Sequence, residues 1–100
     1  MNTEIRPKYR LQLGNTYFNK GYFNLGVSVE RHLTYDERAF AIFVGDQRKL
    51  IDGRISRNAN SNGTPRIYGG AELRDWFQSN FRKGQYAEVV ILSPTEVWIH

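Results

Sequence analysis

The stretch that decides the fold runs from Lys49 to Leu92: KLIDGRISRNANSNGTPRIYGGAELRDWFQSNFRKGQYAEVVIL. Its second half carries apolar residues at the three- and four-residue spacings of one helix face: Leu73, Trp76, Phe77 and Phe81. This periodicity predicts a helix over residues 71–81, with polar side chains on its other face. Residues 58–65, NANSNGTP, are all of small or turn-forming types and predict a loop.

Short strand patterns lie on both sides of this helix and loop. Apolar runs and alternations predict strands at residues 9–13, 40–44, 49–55, 66–68, 86–92 and 97–99. Asp52-Gly53 signals a turn or bulge, glycines predict loop structure within residues 14–26, and residues 27–33 fit either a strand or a short helix. Six or seven short strands with one clear helix are typical of a single-domain barrel or pseudobarrel, here residues 1–100.

Composition excludes several classes of protein. Hydrophobic residues make up 40% of the chain, enough for a core, but no run approaches the roughly eighteen apolar residues of a membrane span. The first residues, MNTEIRPKY, contain no apolar segment of the secretory kind. Cysteine is absent, which excludes disulfides and thiolate metal sites. We therefore expect a cytoplasmic protein with no membrane partner.

The net charge of +4 is concentrated in two segments. Residues 5–24 contain four cations and residues 53–70 contain three, and neither segment contains an acid. Residues 71–100, in contrast, carry three cations against four acids. Two acid-free basic segments are typical of a surface that binds a polyanion, and an ordinary basic surface is the alternative on charge alone.

No pattern of residues indicates catalysis or metal binding. The chain has two histidines, His32 and the terminal His100, and no cysteine to join them as a metal ligand. Gly69-Gly70 precedes the predicted helix but lacks the spacing and the lysine of a nucleotide-binding loop. We expect no enzyme activity, no catalytic residue, no metal site and no cofactor. A small nuclease that uses His32 with nearby carboxylates is an alternative.

Asparagine is concentrated in the two basic segments. Six of the eight asparagines lie there, at positions 15, 19 and 24 and at positions 58, 60 and 62. Asparagine favours turns, but turns require one or two such residues rather than this density. Arginine and asparagine also bond guanine and adenine edges in the major groove, while serine, threonine and lysine hold phosphates. The composition therefore predicts sequence-specific binding of double-stranded DNA.

Aromatic residues in the first segment permit a different interpretation. Tyr17, Phe18 and Tyr22 are of the type that stacks on unpaired bases in proteins that bind single-stranded nucleic acid or RNA. The alternation of the segment predicts that Phe23 and Leu25 lie in the core instead. Competition between duplex and single-stranded oligonucleotides separates the two hypotheses.

The order of features over residues 49–92 resembles the DNA-binding pseudobarrel superfamily. That superfamily includes the plant B-three transcription-factor domain and the effector domains of EcoRII-, BfiI- and NgoAVII-type restriction endonucleases. The similar features are a strand, an exposed polar arm, a short strand, a glycine, a helix with the pair Trp76-Phe77, then Lys83-Gly84 and a further strand. Residues 11–25 match more loosely, and residues 27–38 do not show the family's first helix.

The resemblance implies a mainly β (α+β) fold, an open seven-stranded pseudobarrel with one or two short helices. It also implies two arms that enter the major groove of double-stranded DNA: an N-arm at residues 14–24 and a C-arm at residues 54–68. The N-arm contacts would be Asn15, Thr16, Asn19 and Lys20. The C-arm contacts would be Arg54, Ser56, Arg57, Asn58, Asn60, Asn62, Thr64 and Arg66. The implied function is target recognition for a restriction endonuclease whose nuclease lies on another domain or subunit.

Overall fold

The computed structural model describes residues 6–100. Within them lie seven strands: β1 (Lys8–Gln12), β2 (Tyr22–Asn24), β3 (Arg38–Val44), β4 (Lys49–Ser56), β5 (Arg66–Tyr68), β6 (Tyr86–Ser93) and β7 (Glu96–Ile99). Helix α1 (Asn15–Lys20) lies between β1 and β2, and helix α2 (Gly70–Asn80) between β5 and β6. Residues 27–33 contain a turn of 3₁₀ helix at Glu30–His32, so they form no strand.

The seven strands form one mixed sheet. Its order is β1-β6-β7-β3-β4-β5-β2, with β3 and β7 parallel and the other neighbouring strands antiparallel. β1 and β2 are the two edges, and α1 connects them. The sheet is therefore an open half-barrel. The predicted fold class is confirmed: mainly β (α+β), seven strands that do not close, and two short helices.

Apolar residues on the inner face of the sheet form the core. Strand alternation turns Phe23 of β2 and Ile67 of β5 to that face, where both are fully buried. α2 packs on the same core through Leu73 and Phe77, whose ring centroid lies 6.4 Å from that of Phe23. Leu25 is also fully buried, so the predicted core positions of Phe23 and Leu25 are confirmed. Each such side chain stabilises the fold by about 1.5–3 kcal/mol.

The N-arm contains more regular structure than its glycines predict. Residues 15–20 form α1, which ends at Gly21 in the left-handed conformation (φ +72°). A Cβ at position 21 would collide with the carbonyl of Gly70, so this turn requires glycine. Six residues are too few for a periodic apolar pattern, which is why the sequence did not reveal the helix.

Residues 49–56 form one uninterrupted strand, so the predicted turn or bulge at Asp52-Gly53 is wrong. β4 pairs with β3 in regular register through Gly53, which lies opposite Phe40. A Cβ at position 53 would lie 2.5 Å from the carbonyl oxygen of Tyr68 and 2.7 Å from Cδ1 of Ile42. The glycine therefore permits close packing within a strand rather than a change of chain direction.

Candidate nucleic-acid interface

α1 presents a polar face to solvent. The four N-arm residues predicted to contact DNA are all exposed on it: Asn15, Thr16, Asn19 and Lys20. None of these side chains is hydrogen-bonded or ion-paired within residues 6–100. The other two residues of α1, Tyr17 and Phe18, pack against the core, and Gln78 of α2 donates to the carbonyl of Phe18 at 3.0 Å. The helix is thus anchored by its aromatic residues, and its polar side chains remain available to a ligand.

The N-arm and the C-arm meet where β2 pairs with β5. Asn24 lies directly opposite Arg66 in this antiparallel pair, and Tyr22 lies opposite Tyr68. The alternation that buries the strands' middle residues turns these four side chains to the outer face. Two segments that are about forty residues apart in the chain therefore form one continuous surface.

Asn24, Asn60 and Arg66 are linked by hydrogen bonds across this junction. The side-chain oxygen of Asn24 accepts from Nε of Arg66 at 2.9 Å and from Nδ2 of Asn60 at 3.1 Å. Nη2 of Arg66 in turn donates to Oδ1 of Asn60 at 3.1 Å. The guanidinium lies over the ring of Tyr22, 4.4 Å from its centroid. The two hydrogen bonds along one edge of the guanidinium and the ring against one of its faces together fix the orientation of Arg66.

A groove runs beside this junction. Its walls are contributed by β1, α1, β2 and β5: Gln12, Gly14, Asn15, Thr16, Tyr17, Tyr22, Asn24 and Arg66. No acidic side chain is among these residues, and Arg66 supplies a positive charge. The groove therefore combines hydrogen-bonding groups of both arms with a potential that favours an anionic ligand.

Arg57 lies in the C-arm but is buried, with 9% of its surface exposed. Its guanidinium donates to the backbone carbonyls of Glu30, Leu33, Thr34 and Gly63, and it also pairs with the Glu30 carboxylate at 2.6 Å. These bonds join the base of the C-arm loop to the 3₁₀ segment. Arg57 therefore has a structural role here, and its donors are already occupied.

Most other polar side chains of the C-arm shape its loop. Oγ of Ser56 accepts from the backbone N–H of Asn58 at 3.2 Å. Oδ1 of Asn62 accepts from the hydroxyl of Thr64 at 2.7 Å and from its backbone N–H at 3.2 Å. Nδ2 of Asn60 donates to the carbonyl of Thr64 at 3.1 Å. These bonds replace the ladder bonds that a loop without secondary structure lacks.

The structure sorts the C-arm residues predicted to contact DNA into three groups. Three are exposed: Arg54, Asn58 and Asn62. Two are partly buried at the junction with the N-arm: Asn60 and Arg66. Three are buried: Ser56, Arg57 and Thr64. Asn24, absent from the predicted contacts, completes the junction, and strand alternation after the buried Phe23 was the signal that could have found it.

An aromatic cluster extends the junction on the outer face. The ring of Tyr22 lies 5.7 Å from that of Tyr68 and 6.0 Å from that of Tyr17. Arg54 of β4 is directly opposite Tyr68 in the sheet. Tyr68 is 36% exposed and was not predicted as a site residue, because only the strand register shows that it adjoins Tyr22. Phe18, a predicted stacking residue, packs against the core instead.

The described residues offer no arrangement typical of a metal centre or a membrane-spanning helix. His32 lies half-buried at the end of the 3₁₀ turn. Residues 6–100 contain no group of three or more His, Asp or Glu side chains placed to hold a metal ion. No helix in that range is long and apolar enough to cross a membrane.

Comparison with protein-family models finds none that matches the chain, and comparison with curated proteins finds no match in sequence.

Proposed function

We propose that the chain binds double-stranded DNA in a sequence-specific manner through the joined N-arm and C-arm. The observation that carries this proposal is the junction of β2 and β5, where two acid-free basic segments form one groove around Arg66. An arginine held beside asparagine and threonine side chains offers the donors and acceptors that read base edges. Lys20 and Arg54 are exposed cations of the two arms that can contact the phosphates.

The polar residues of the two arms offer contacts both to phosphates and to base edges. Lys20 of α1 and Arg54 of β4 are exposed and have no ion pair within the described chain, so they can follow the phosphate backbone. Asn15 and Thr16 line the same groove as the fixed guanidinium of Arg66. The carboxylates that contact the C-arm, those of Glu30 and Glu37, are engaged by Arg57 and Asn58.

The test is a selection from a pool of random duplex oligonucleotides, followed by sequencing of the retained duplexes. We expect enrichment of one short motif, and a Kd for that motif that rises steeply with salt concentration because phosphate contacts release counterions. Retention without any enriched motif would reduce the function to nonspecific binding. Absence of retention at low salt would contradict the proposal.

As part of this proposal, the chain recognises the target of a restriction endonuclease in the cytoplasm, and cleavage belongs to a nuclease domain or subunit elsewhere. The resemblance described above supports this role. The purified chain, incubated with plasmid DNA and Mg²⁺, should leave the plasmid uncut. Cleavage that disappears in the His32→Ala variant would favour the alternative of a small nuclease instead.

Binding of single-stranded nucleic acid is a second candidate, favoured by the contact between Tyr22 and Tyr68 on the outer face. Aromatic side chains on a basic surface stack on unpaired bases with little regard to sequence. In a competition assay, a single-stranded oligonucleotide should displace a labelled duplex only at much higher concentration if the first proposal holds. Stronger competition by the single strand, lost in Tyr68→Ala, would favour the second candidate.

A further inference from the structure

Arg66 is fixed in orientation but retains part of its hydrogen-bonding capacity. A guanidinium has five N–H groups; in Arg66, Nε donates to Asn24 and Nη2 donates to Asn60. The remaining three, two on Nη1 and one on Nη2, have no acceptor within residues 6–100. Because Arg66 is only partly buried and lines the groove, a ligand there can reach its side chain.

The free donors form a fork. Nε and Nη2 share one edge of the planar guanidinium, and the two asparagines occupy that edge. The edge between Nη1 and Nη2 remains, with two parallel N–H groups that match two adjacent acceptor atoms. In duplex DNA, such a pair is offered by O6 and N7 of guanine or by two oxygens of one phosphate.

We propose that this free edge of Arg66 binds O6 and N7 of one guanine in the major groove, and that Asn24 and Asn60 are positioning residues that aim it. This inference rests on the proposed binding of duplex DNA and adds the base that is read. Guanine is favoured over phosphate because a guanidinium bonded along one edge and covered on one face by Tyr22 has little freedom to follow a backbone. A donor pair that is already oriented loses little conformational freedom when it meets a rigid base edge.

The test uses the full chain and the best duplex from the random selection. Each guanine is replaced in turn by 7-deazaguanine, which lacks N7 but keeps Watson–Crick pairing, and Kd is measured by fluorescence anisotropy. At one position we expect binding to the wild-type chain to weaken by about tenfold. In Arg66→Lys, which keeps the charge but has no fork, the same replacement should have less than about a twofold effect.

Three further variants sharpen the test. Asn24→Ala should lower the penalty at that guanine and leave the salt dependence of Kd unchanged, an outcome that general loosening of the fold would not give. It also keeps the inference testable if Arg66→Lys does not fold, as judged by thermal unfolding. Arg54→Lys, on the same sheet face, is the matched control and should leave the tenfold penalty in place. Arg66→Ala measures the contribution of the charge itself.

Two results would overturn the inference, and they are distinguishable. In the first, each 7-deazaguanine replacement weakens binding to wild type and to Arg66→Lys by the same factor, and the slope of log Kd against log salt falls by about one in Arg66→Ala. This result would assign Arg66 to a phosphate and leave duplex binding intact. If the selection retains no duplex at all, the proposed function fails, and this inference fails with it.

Discussion

The N-arm and the C-arm have similar compositions but use their polar residues differently. Of the four N-arm side chains predicted to contact DNA, none is bonded to another side chain or to the backbone within residues 6–100. Of the eight in the C-arm, seven take part in such bonds, and Arg54 is the exception. Similar composition therefore gives an exposed polar face in one arm and an internally bonded loop in the other.

Backbone hydrogen bonding explains the difference. In α1, the chain begins to satisfy its own backbone groups through bonds such as that from Phe18 N–H to the carbonyl of Gly14. Residues 57–65 belong to no helix or strand, so their carbonyls and N–H groups need other partners. Arg57, Asn60 and Asn62 supply them. A dense set of Asn and Arg side chains in a long loop can thus serve the loop itself before it serves a ligand.

The largest test of this comparison is Arg57→Ala. The substitution removes the guanidinium that donates to five acceptor atoms, and it leaves the Glu30 carboxylate without its partner. The loss of these bonds to four backbone carbonyls and of the partly buried ion pair should lower the free energy of unfolding by about 3–5 kcal/mol, which urea denaturation measures directly. Arg54→Ala in the same arm should change it by less than about 0.5 kcal/mol. Equal stability of both variants would refute the assignment of Arg57 to the fold.

Asn60→Ala should have the next largest effect. Its amide joins Asn24, Arg66 and the carbonyl of Thr64 in a partly buried site, so the variant leaves polar groups without partners. We expect a loss of about 1–3 kcal/mol in the free energy of unfolding. Asn19→Ala, in the N-arm, is the matched control and should cost less than about 0.5 kcal/mol. A larger loss for Asn19 than for Asn60 would reverse the comparison of the arms.

The contrast between the arms also marks what the sequence could predict. The apolar periodicity of α2 and the apolar runs of β3 and β6 are local patterns, and their predicted elements are confirmed within a residue or two. The loop at residues 58–65 was equally visible from its turn-forming residues. Local pattern is sufficient wherever one segment alone determines which side chains face the core.

The site depends on long-range information that local patterns lack. Arg57 and Arg66 are both arginines in the same arm, yet one is buried by the carbonyls of residues 30–34 and the other opposes Asn24 across β2 and β5. The carbonyls of residues 30–34 and Asn24 all lie outside the C-arm, so the composition of that arm could not separate the two roles. The pairing of Tyr22 with Tyr68 is hidden for the same reason.

A third prediction concerns binding rather than stability. Lys20→Ala should leave the unfolding curve unchanged, because Lys20 is exposed and unpaired within the described chain. If Lys20 contacts a phosphate, the slope of log Kd against log salt should fall by about 0.9. Lys49→Ala is the control, since Lys49 is an exposed lysine at the other end of β4, paired with Glu72 at 3.4 Å. An unchanged slope in Lys20→Ala would show that Lys20 contacts no phosphate.

The smallest expected effect lies within the C-arm itself. Nδ2 of Asn58 donates to Glu37 at 2.7 Å, but both side chains are exposed, so water replaces the bond readily. Asn58→Ala should therefore change the free energy of unfolding by less than about 0.5 kcal/mol, although the Asn58 side chain is hydrogen-bonded in the structure. Urea denaturation of the two alanine variants side by side tests whether one exposed bond stabilises the C-arm as much as the partly buried set does, since Asn58 makes one side-chain bond and Asn60 makes three. If Asn58→Ala destabilised the chain as much as Asn60→Ala, an exposed bond would contribute as much as the partly buried set, and burial would not explain the difference between the C-arm and the N-arm.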